Sequence, residues 1–357
     1  MGWASRPPAD RPRLSYDGPV QRSRTLTRRP SSSRWLAAAL VGVAAGLCSL
    51  STGATPVAAD AGANSASAAG PYPVVYSPVA DGPNPLTDPS APPAGANDWQ
   101  CRPSAAHPDP VILVHGLGAT MAENWGTMSP LLADNGYCVF ALTYGLDPGE
   151  QYVGGVEPME QSSHELAAFV DEVLAATGAS KVDLVGHSEG TVMPQYYLKF
   201  LGGAAKVDRY VAITPLYQGT TFYGVGDLAE AYPQFAAPFL DLVAAGGCGS
   251  CPEFISGSPF LQHLYADGVY AVGDVTYTTI MTRYDELVTP YTSGVLHAPN
   301  ATNIVVQDQC PLDGSEHATM AFDPVVAQDV LNALDPSARQ PVPCTLVVPG
   351  VGAPWFH

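Results

Sequence analysis

Ser188 lies at the centre of Gly186-His187-Ser188-Glu189-Gly190, a Gly-x-Ser-x-Gly pentapeptide that ends the strand-like run from Lys181 and opens the helix-compatible segment Thr191 to Leu201. A serine at a tight strand-to-helix turn has its hydroxyl thrown clear of the sheet edge. Glycine on either side removes the Cβ atoms that would clash there. The helix starting at this point adds uncommitted N–H groups and the positive end of its dipole, both suited to a developing oxyanion. The chemistry on offer is attack by an alcohol oxygen on an electrophilic carbon. In a chain with 35 glycines the pentapeptide alone is weak evidence, so its partners decide.

A serine hydroxyl needs a general base and an acid that orients it, and behind such an elbow they follow in the order Ser, acid, His. Val275 to Thr282 is β-branched and aromatic enough to be a strand, and Asp285 follows it directly. The next strand is expected at Asn303 to Gln307, leading into a loop that presents His317 before a helix beginning near Asp323-Pro324. Asp285 is the expected acid and His317 the expected base. Glu286 is one residue off, and Asp308 and Asp313 would share the loop of His317 instead of supporting it from the neighbouring one. His297 precedes the last strand, which puts it at the wrong sheet edge. His187 flanks the nucleophile without facing it. For these five a surface carboxylate or a packed imidazole is the expected role.

Val111 to Val114 is a second apolar strand and runs into His115-Gly116-Leu117-Gly118. A loop in that position donates a backbone N–H to the oxyanion. The expected oxyanion hole is the N–H of Leu117 with that of Glu189. A carboxylate at Glu189 opposes a developing negative charge unless it points to solvent or to a partner. His115 is expected to hydrogen-bond loop backbone and shape the turn.

These side chains need a frame. Strands at 110–114, 137–143, 181–186 and 207–213 alternate with helices near 124–134, 158–177 and 190–201, which implies an α/β fold, a parallel sheet covered on both faces. In the second helix Leu166, Phe169, Val170, Val173 and Leu174 recur at helical spacing and read as core. An insertion at about 216–274 carries Tyr217, Phe222, Tyr223, Leu228, Tyr232 and Phe235 among other apolar residues. Such residues either pack down on the domain or line an acyl pocket that opens at a lipid surface.

Eight arginines within residues 1–34 precede the Ala-, Leu-, Val- and Gly-rich run Trp35 to Leu50, the pattern of an export signal, expected at 1–59 with cleavage near Pro56-Val57-Ala58-Ala59. The run is shorter than the ~20 residues of a membrane span, so no stable span is expected after its removal, a retained anchor being the alternative. Residues 60–100 read as a Pro-, Ala- and Gly-rich leader, and 101–357 as the folded domain. Residues 1–59 hold eight of the 15 Lys plus Arg and two of the 33 Asp plus Glu, leaving 7 against 31 and a net charge of −24 with His neutral. So acidic a surface repels phosphate backbones and excludes nucleic acid as a partner. Cys48 falls in the export segment, leaving an even set of six. Three disulfides are expected: Cys101 with Cys138, Cys248 with Cys251, and Cys310 with Cys344, each joining segments the fold would bring near one another. Cys248-Gly-Ser-Cys251 follows no strand, which favours a local staple over a redox motif.

With Val-His-Gly-Leu-Gly at 114–118, Gly-His-Ser-Glu-Gly at 186–190, Pro-Gln-Tyr-Tyr-Leu-Lys-Phe-Leu-Gly-Gly at 194–203, and Asp285 with His317, the chain resembles the secreted actinobacterial lipases and esterases often grouped as class 2 lipases. The resemblance covers roughly residues 70–345. It implies an α/β-hydrolase fold with a cap or lid insertion, and ester hydrolysis through Ser188, Asp285 and His317. The substrate it implies is an acylglycerol or simpler ester, met at an oil–water interface by a secreted monomer. Short-chain ester hydrolysis or acyl transfer by the same triad is the alternative, and a catalytically silent binding protein on the same scaffold a third. Relatives commonly carry an uncharged residue such as Gln or Met at the position of Glu189. No metal or organic cofactor is expected, since the chain has no His-Glu-x-x-His and neither a dinucleotide loop nor a P-loop in a usable context.

Overall fold

The computed structural model describes residues 71–78, 88–222 and 246–356. The expected export segment, and the insertion residues from Tyr223 to Val243, lie outside the described residues.

Six strands, β1 (Val111–Val114), β2 (Val139–Leu142), β3 (Val182–His187), β4 (Val207–Ile213), β5 (Thr276–Met281) and β6 (Ala301–Val305), form one sheet in the order β2-β1-β3-β4-β5-β6. Every neighbouring pair is parallel. A parallel sheet is buried on both faces, which is why β1 and β2 read as unbroken apolar runs and are buried at every residue. Successive side chains leave a strand on opposite faces. Ile112 and Val114 therefore join Phe140, Leu184 and Tyr210 in one core, while Val111 and Leu113 join Val185 and Val211 in the other.

Seven α-helices follow among the described residues: α1 (Met121–Asn124), α2 (Met128–Asp134), α3 (Met159–Thr177), α4 (Glu189–Phe200), α5 (Pro259–Leu264), α6 (Val306–Gln309) and α7 (Pro324–Leu334). The first core takes Leu166, Val170 and Val173 of α3 and Val192, Met193 and Tyr197 of α4. The second takes Met128 and Leu132 of α2 and Val325, Val326 and Val330 of α7. Helix α3 stops at Gly178, whose φ of 76° is the left-handed conformation that glycine adopts without Cβ strain. Helix α4 contains Pro194, which has no N–H to give the carbonyl four residues back. The orphaned Gly190 oxygen instead accepts from the Tyr210 hydroxyl of β4 at 2.8 Å.

Two elements differ from expectation. The helix near 124–134 is broken at Trp125–Thr127, which lets Asn124 turn inward while Trp125 enters the core fully buried. The last strand runs over Ala301–Val305, not 303–307, because its ladder with β5 ends at the Met281–Val305 pair and Val306 then begins α6.

The Pro-, Ala- and Gly-rich stretch contributes to the packed body. Ala96 bridges Val139, Asn97 exchanges side-chain hydrogen bonds with the backbone of Ala141 at 2.8 and 2.9 Å, and Thr127 Oγ1 donates to Val75 O. At the other end of the chain, Ala353 N donates to Tyr76 O at 2.7 Å and the Phe356 ring meets Tyr76 edge-on. The three expected disulfides are present, with Cα separations of 5.8 Å for Cys101–Cys138, 5.4 Å for Cys248–Cys251 and 4.9 Å for Cys310–Cys344. Among the described residues no helix is long and apolar enough to cross a membrane.

Candidate active site

Ser188 has φ 55° and ψ −121°, a conformation an L-residue holds only where its surroundings impose it. The flanking glycines show why. A Cβ on Gly186 would lie 1.9 Å from Gly190 O, and one on Gly190 would lie 2.1 Å from Val114 O, so no other residue fits either place without moving backbone. Ser188 N donates to Ile213 O, which anchors the turn to β4.

The base arrives from the loop after α6. His317 Nε2 is 2.7 Å from Ser188 Oγ, and Nδ1 is 2.9 Å from each carboxylate oxygen of Asp285. Asp285 comes from the loop after β5, and its Oδ1 also accepts from Leu287 N at 3.0 Å and Val288 N at 2.7 Å. The His317 and Asp285 side chains are 4% and 2% exposed, dry enough for their pairing to fix the ring. With Nδ1–H donating to Asp285, Nε2 is left to accept from the serine hydroxyl.

The rivals have other partners. Glu286 Oε2 accepts the backbone N–H of His317, Asp308 pairs with Arg283 at the surface, and His297 is exposed ahead of β6. Asp313 holds the base loop from within: its Oδ1 accepts from Ser315 N and Oγ. The Asp285 and His317 loops are joined by Gln307, which accepts from Arg283 N and donates to Thr282 Oγ1 and Asp313 O, while Thr282 Oγ1 donates to Ser315 O. His187 is buried with Nε2 3.0 Å from His317 O and Nδ1 3.0 Å from Asn124 Oδ1, a placement sequence reading assigned only to packing.

The loop after β1 passes beside the serine, since a Cβ on Gly116 would lie 3.0 Å from Ser188 Cβ. Gly118 N to Gly154 O and Gly154 N to Ala119 O zip it to the segment after β2. Among the described residues, no protein acceptor takes the N–H of Leu117 or of Glu189. His115 behaves as expected: Nδ1 is 2.8 Å from Gly116 O, Nε2 accepts from Tyr144 N at 3.2 Å, and the ring stacks on Tyr144. Burial holds its pKa down at about 4.

Glu189 finds neither solvent nor a hydrogen-bonding partner. It is 1% exposed, both carboxyl oxygens are unpaired, and its Oε2 lies 3.2 Å from the position of a Cβ on Gly155. Burial pushes its carboxyl well above the usual range, and the nearby Glu253 adds to the shift. Burial without a counter-charge favours the neutral form of this side chain, and that form sets no charge against an oxyanion. The Cys248–Cys251 staple sits over this corner: Gly249 and Ser250 donate to Val156 O, and Ser250 Oγ donates to Gly155 O.

A cleft of about 330 Å³ at the opposite end of the sheet is lined by His107, Tyr137, Asp335 and a cluster of Asp109, Asp183 and Asp208, which can each bring one carboxylate oxygen within 4.8 Å of the others. Lys181 and Arg209 pair with Asp208, and Arg209 N donates to Asp183, so this acidic group is counter-charged by its own chain and lies away from Ser188.

Comparison with known proteins places these features among relatives. The family model described as Lipase (class 2) matches residues 108–330, which contain Ser188, Asp285 and His317. A triacylglycerol lipase of Pseudarthrobacter phenanthrenivorans is 35% identical over 92 residues, 24% of this chain and 27% of that one. A triacylglycerol lipase of Burkholderia plantarii is likewise 35% identical over 92 residues, 24% of each chain. The matched segment thus spans about a quarter of these relatives. The crystal structure of Aspergillus fumigatus lipase B superposes with a TM-score of 0.53 at 19% identity, covering 71% of this chain and 56% of that one, a likeness of fold.

Proposed function

The chain belongs to the class 2 lipase family, and from that membership we propose that it is a secreted carboxylic-ester hydrolase acting on acylglycerols through Ser188, His317 and Asp285. The observation that carries this reading is the unbroken line from Ser188 Oγ through both nitrogens of His317 to the Asp285 carboxylate. His317 Nε2 takes the serine proton as Oγ bonds to the ester carbonyl carbon, and the carbonyl oxygen becomes an oxyanion facing the N–H groups of Leu117 and Glu189. The imidazolium, stabilised by Asp285, returns the proton to the departing alcohol, leaving an acyl-serine. Water then adds to the acyl carbon as His317 accepts its proton, and collapse breaks the bond to Oγ, which takes the proton back from His317 as the carboxylic acid leaves. Three disulfides and the arginine-rich, apolar amino-terminal pattern support an oxidising, exported setting. That both matched relatives are triacylglycerol lipases supports the choice of acylglycerols.

The test is hydrolysis of p-nitrophenyl esters and emulsified triacylglycerols by the wild-type chain and by Ser188→Ala. The variant is expected to lose turnover while keeping its thermal unfolding transition; retained turnover rejects the assignment. A chain-length series with and without an emulsion separates a lipase from a short-chain esterase.

A further inference from the structure

Below the nucleophile a buried amide joins the two loops that an acyl-transfer site must hold in register. Asn124 Oδ1 accepts from Gly116 N at 3.2 Å, in the loop that carries the Leu117 N–H. The same oxygen is 3.0 Å from His187 Nδ1, and the other nitrogen of that ring is 3.0 Å from the backbone oxygen of His317. Asn124 is 5% exposed, His187 7% and His317 3%. Trp125 meets the His187 ring edge-on, and the rings of His187 and His317 have centroids 5.3 Å apart.

We propose that Asn124 and His187 are positioning residues for ester hydrolysis, a relay that fixes the oxyanion loop and the base loop at one distance from each other beneath Ser188. The inference rests on the assignment of Ser188 and His317 made above. The two loops approach the serine from opposite sides, one after β1 and one after α6, and no strand pairs them directly. Attack on the ester requires both at once, and a displacement of about 1 Å in such a site costs on the order of 10²-fold in rate. Neither residue touches the serine hydroxyl or gains a proton in the reaction. Burial and the adjacent His317 keep the His187 pKa at about 3, so the ring is neutral and has one N–H for two facing oxygens. At any moment one link is a hydrogen bond and the other a close contact held by packing. A neutral His187 also spares His317, since two imidazolium rings 5.3 Å apart would repel as the reaction charges the base.

The experiment is a double-mutant cycle on the full chain with Asn124→Ala, His187→Asn and the pair. Each variant is read by kcat and KM on a soluble p-nitrophenyl ester, by the rate of serine trapping with a phosphonate, and by thermal unfolding. Each single change is expected to lower kcat and the trapping rate about 10- to 100-fold with KM within about twofold, and the double to be no slower than the slower single, because both side chains serve the same join between the two loops. Should Asn124→Ala fail to unfold cooperatively, Asn124→Ser replaces it in the cycle. A kcat within twofold of wild type for either single variant, or two losses that multiply in the double, overturns the relay. Ser188→Ala keeps the outcomes apart: loss of turnover in that variant beside an unaffected Asn124 variant sinks the relay alone, whereas turnover without Ser188 sinks the assignment on which it rests.

Discussion

The hydroxyl of Tyr210 donates to the backbone oxygen of Gly190, the residue that closes the elbow around Ser188. This oxygen has lost its helical donor to Pro194, and Tyr210 is fully buried, so the bond that replaces it is shielded from water. Tyr210→Phe should therefore destabilise the fold by about 1–3 kcal/mol, the cost of a buried carbonyl left unpaired. Chemical denaturation measures it, and an unchanged midpoint would mean that the oxygen finds another donor.

Asp285 accepts His317 Nδ1–H and so selects the tautomer whose Nε2 faces the serine. Asp285→Asn puts an amide where two backbone N–H groups and the ring all need an acceptor. A loss in kcat of order 10³- to 10⁴-fold is expected with little change in KM, as for other triads held in the wrong tautomer. Steady-state kinetics on a soluble ester checks it.

Asp329 is 2% exposed on α7, hydrogen-bonded to Gln309, and burial raises its pKa to about 7. An acid raised on folding binds more protons in the native state than in the unfolded chain. Stability is then fully present below the unfolded pKa near 3.8 and falls as pH climbs towards about 7, by up to ~1.4 kcal/mol per unit. The difference in unfolding free energy between wild type and Asp329→Asn, measured from pH 4 to 8, should swing towards the variant with rising pH and level off above about 7. A difference independent of pH would refute the shift.

Cys310–Cys344 closes 34 residues of chain and ties the start of the base loop to the segment whose Val347 O accepts from Gly314 N. Cys248–Cys251 closes only three. Loop-closure entropy grows with the length enclosed, so replacing the first pair by serine should cost about 2–4 kcal/mol and the second much less. Thermal unfolding of the two double-serine variants ranks them, and the opposite order would contradict this account.

Ser188, Asp285 and His317 were readable because each follows a strand whose apolar or β-branched run is visible in the chain, and because a parallel sheet puts every such loop at one edge. The end of β6 was less readable: Val306 and Gln307 continue an apolar, β-compatible run, and only the length of β5 stops the ladder. Asn124 left one trace, a polar residue four and eight positions ahead of Met128 and Leu132, on the stripe that enters the core. Its partners lie 8 and 63 residues away, and tertiary packing alone brings them to it. The state of Glu189 was not legible either, since whether a carboxyl ionises depends on the burial imposed by Gly155 and Ser250 from two other segments.

The clasp between Tyr76 and Ala353 has a mechanical counterpart. Tension applied at Phe356 would peel that contact first, then the hold of Glu316 and Thr319 on Gly350 N, then the short bridge at Val347, and would next be caught by the sulfur link at Cys344 and delivered to Cys310. The tail would thus yield in stages, its holds falling on the loop that carries His317 and not on the strand that ends before Ser188.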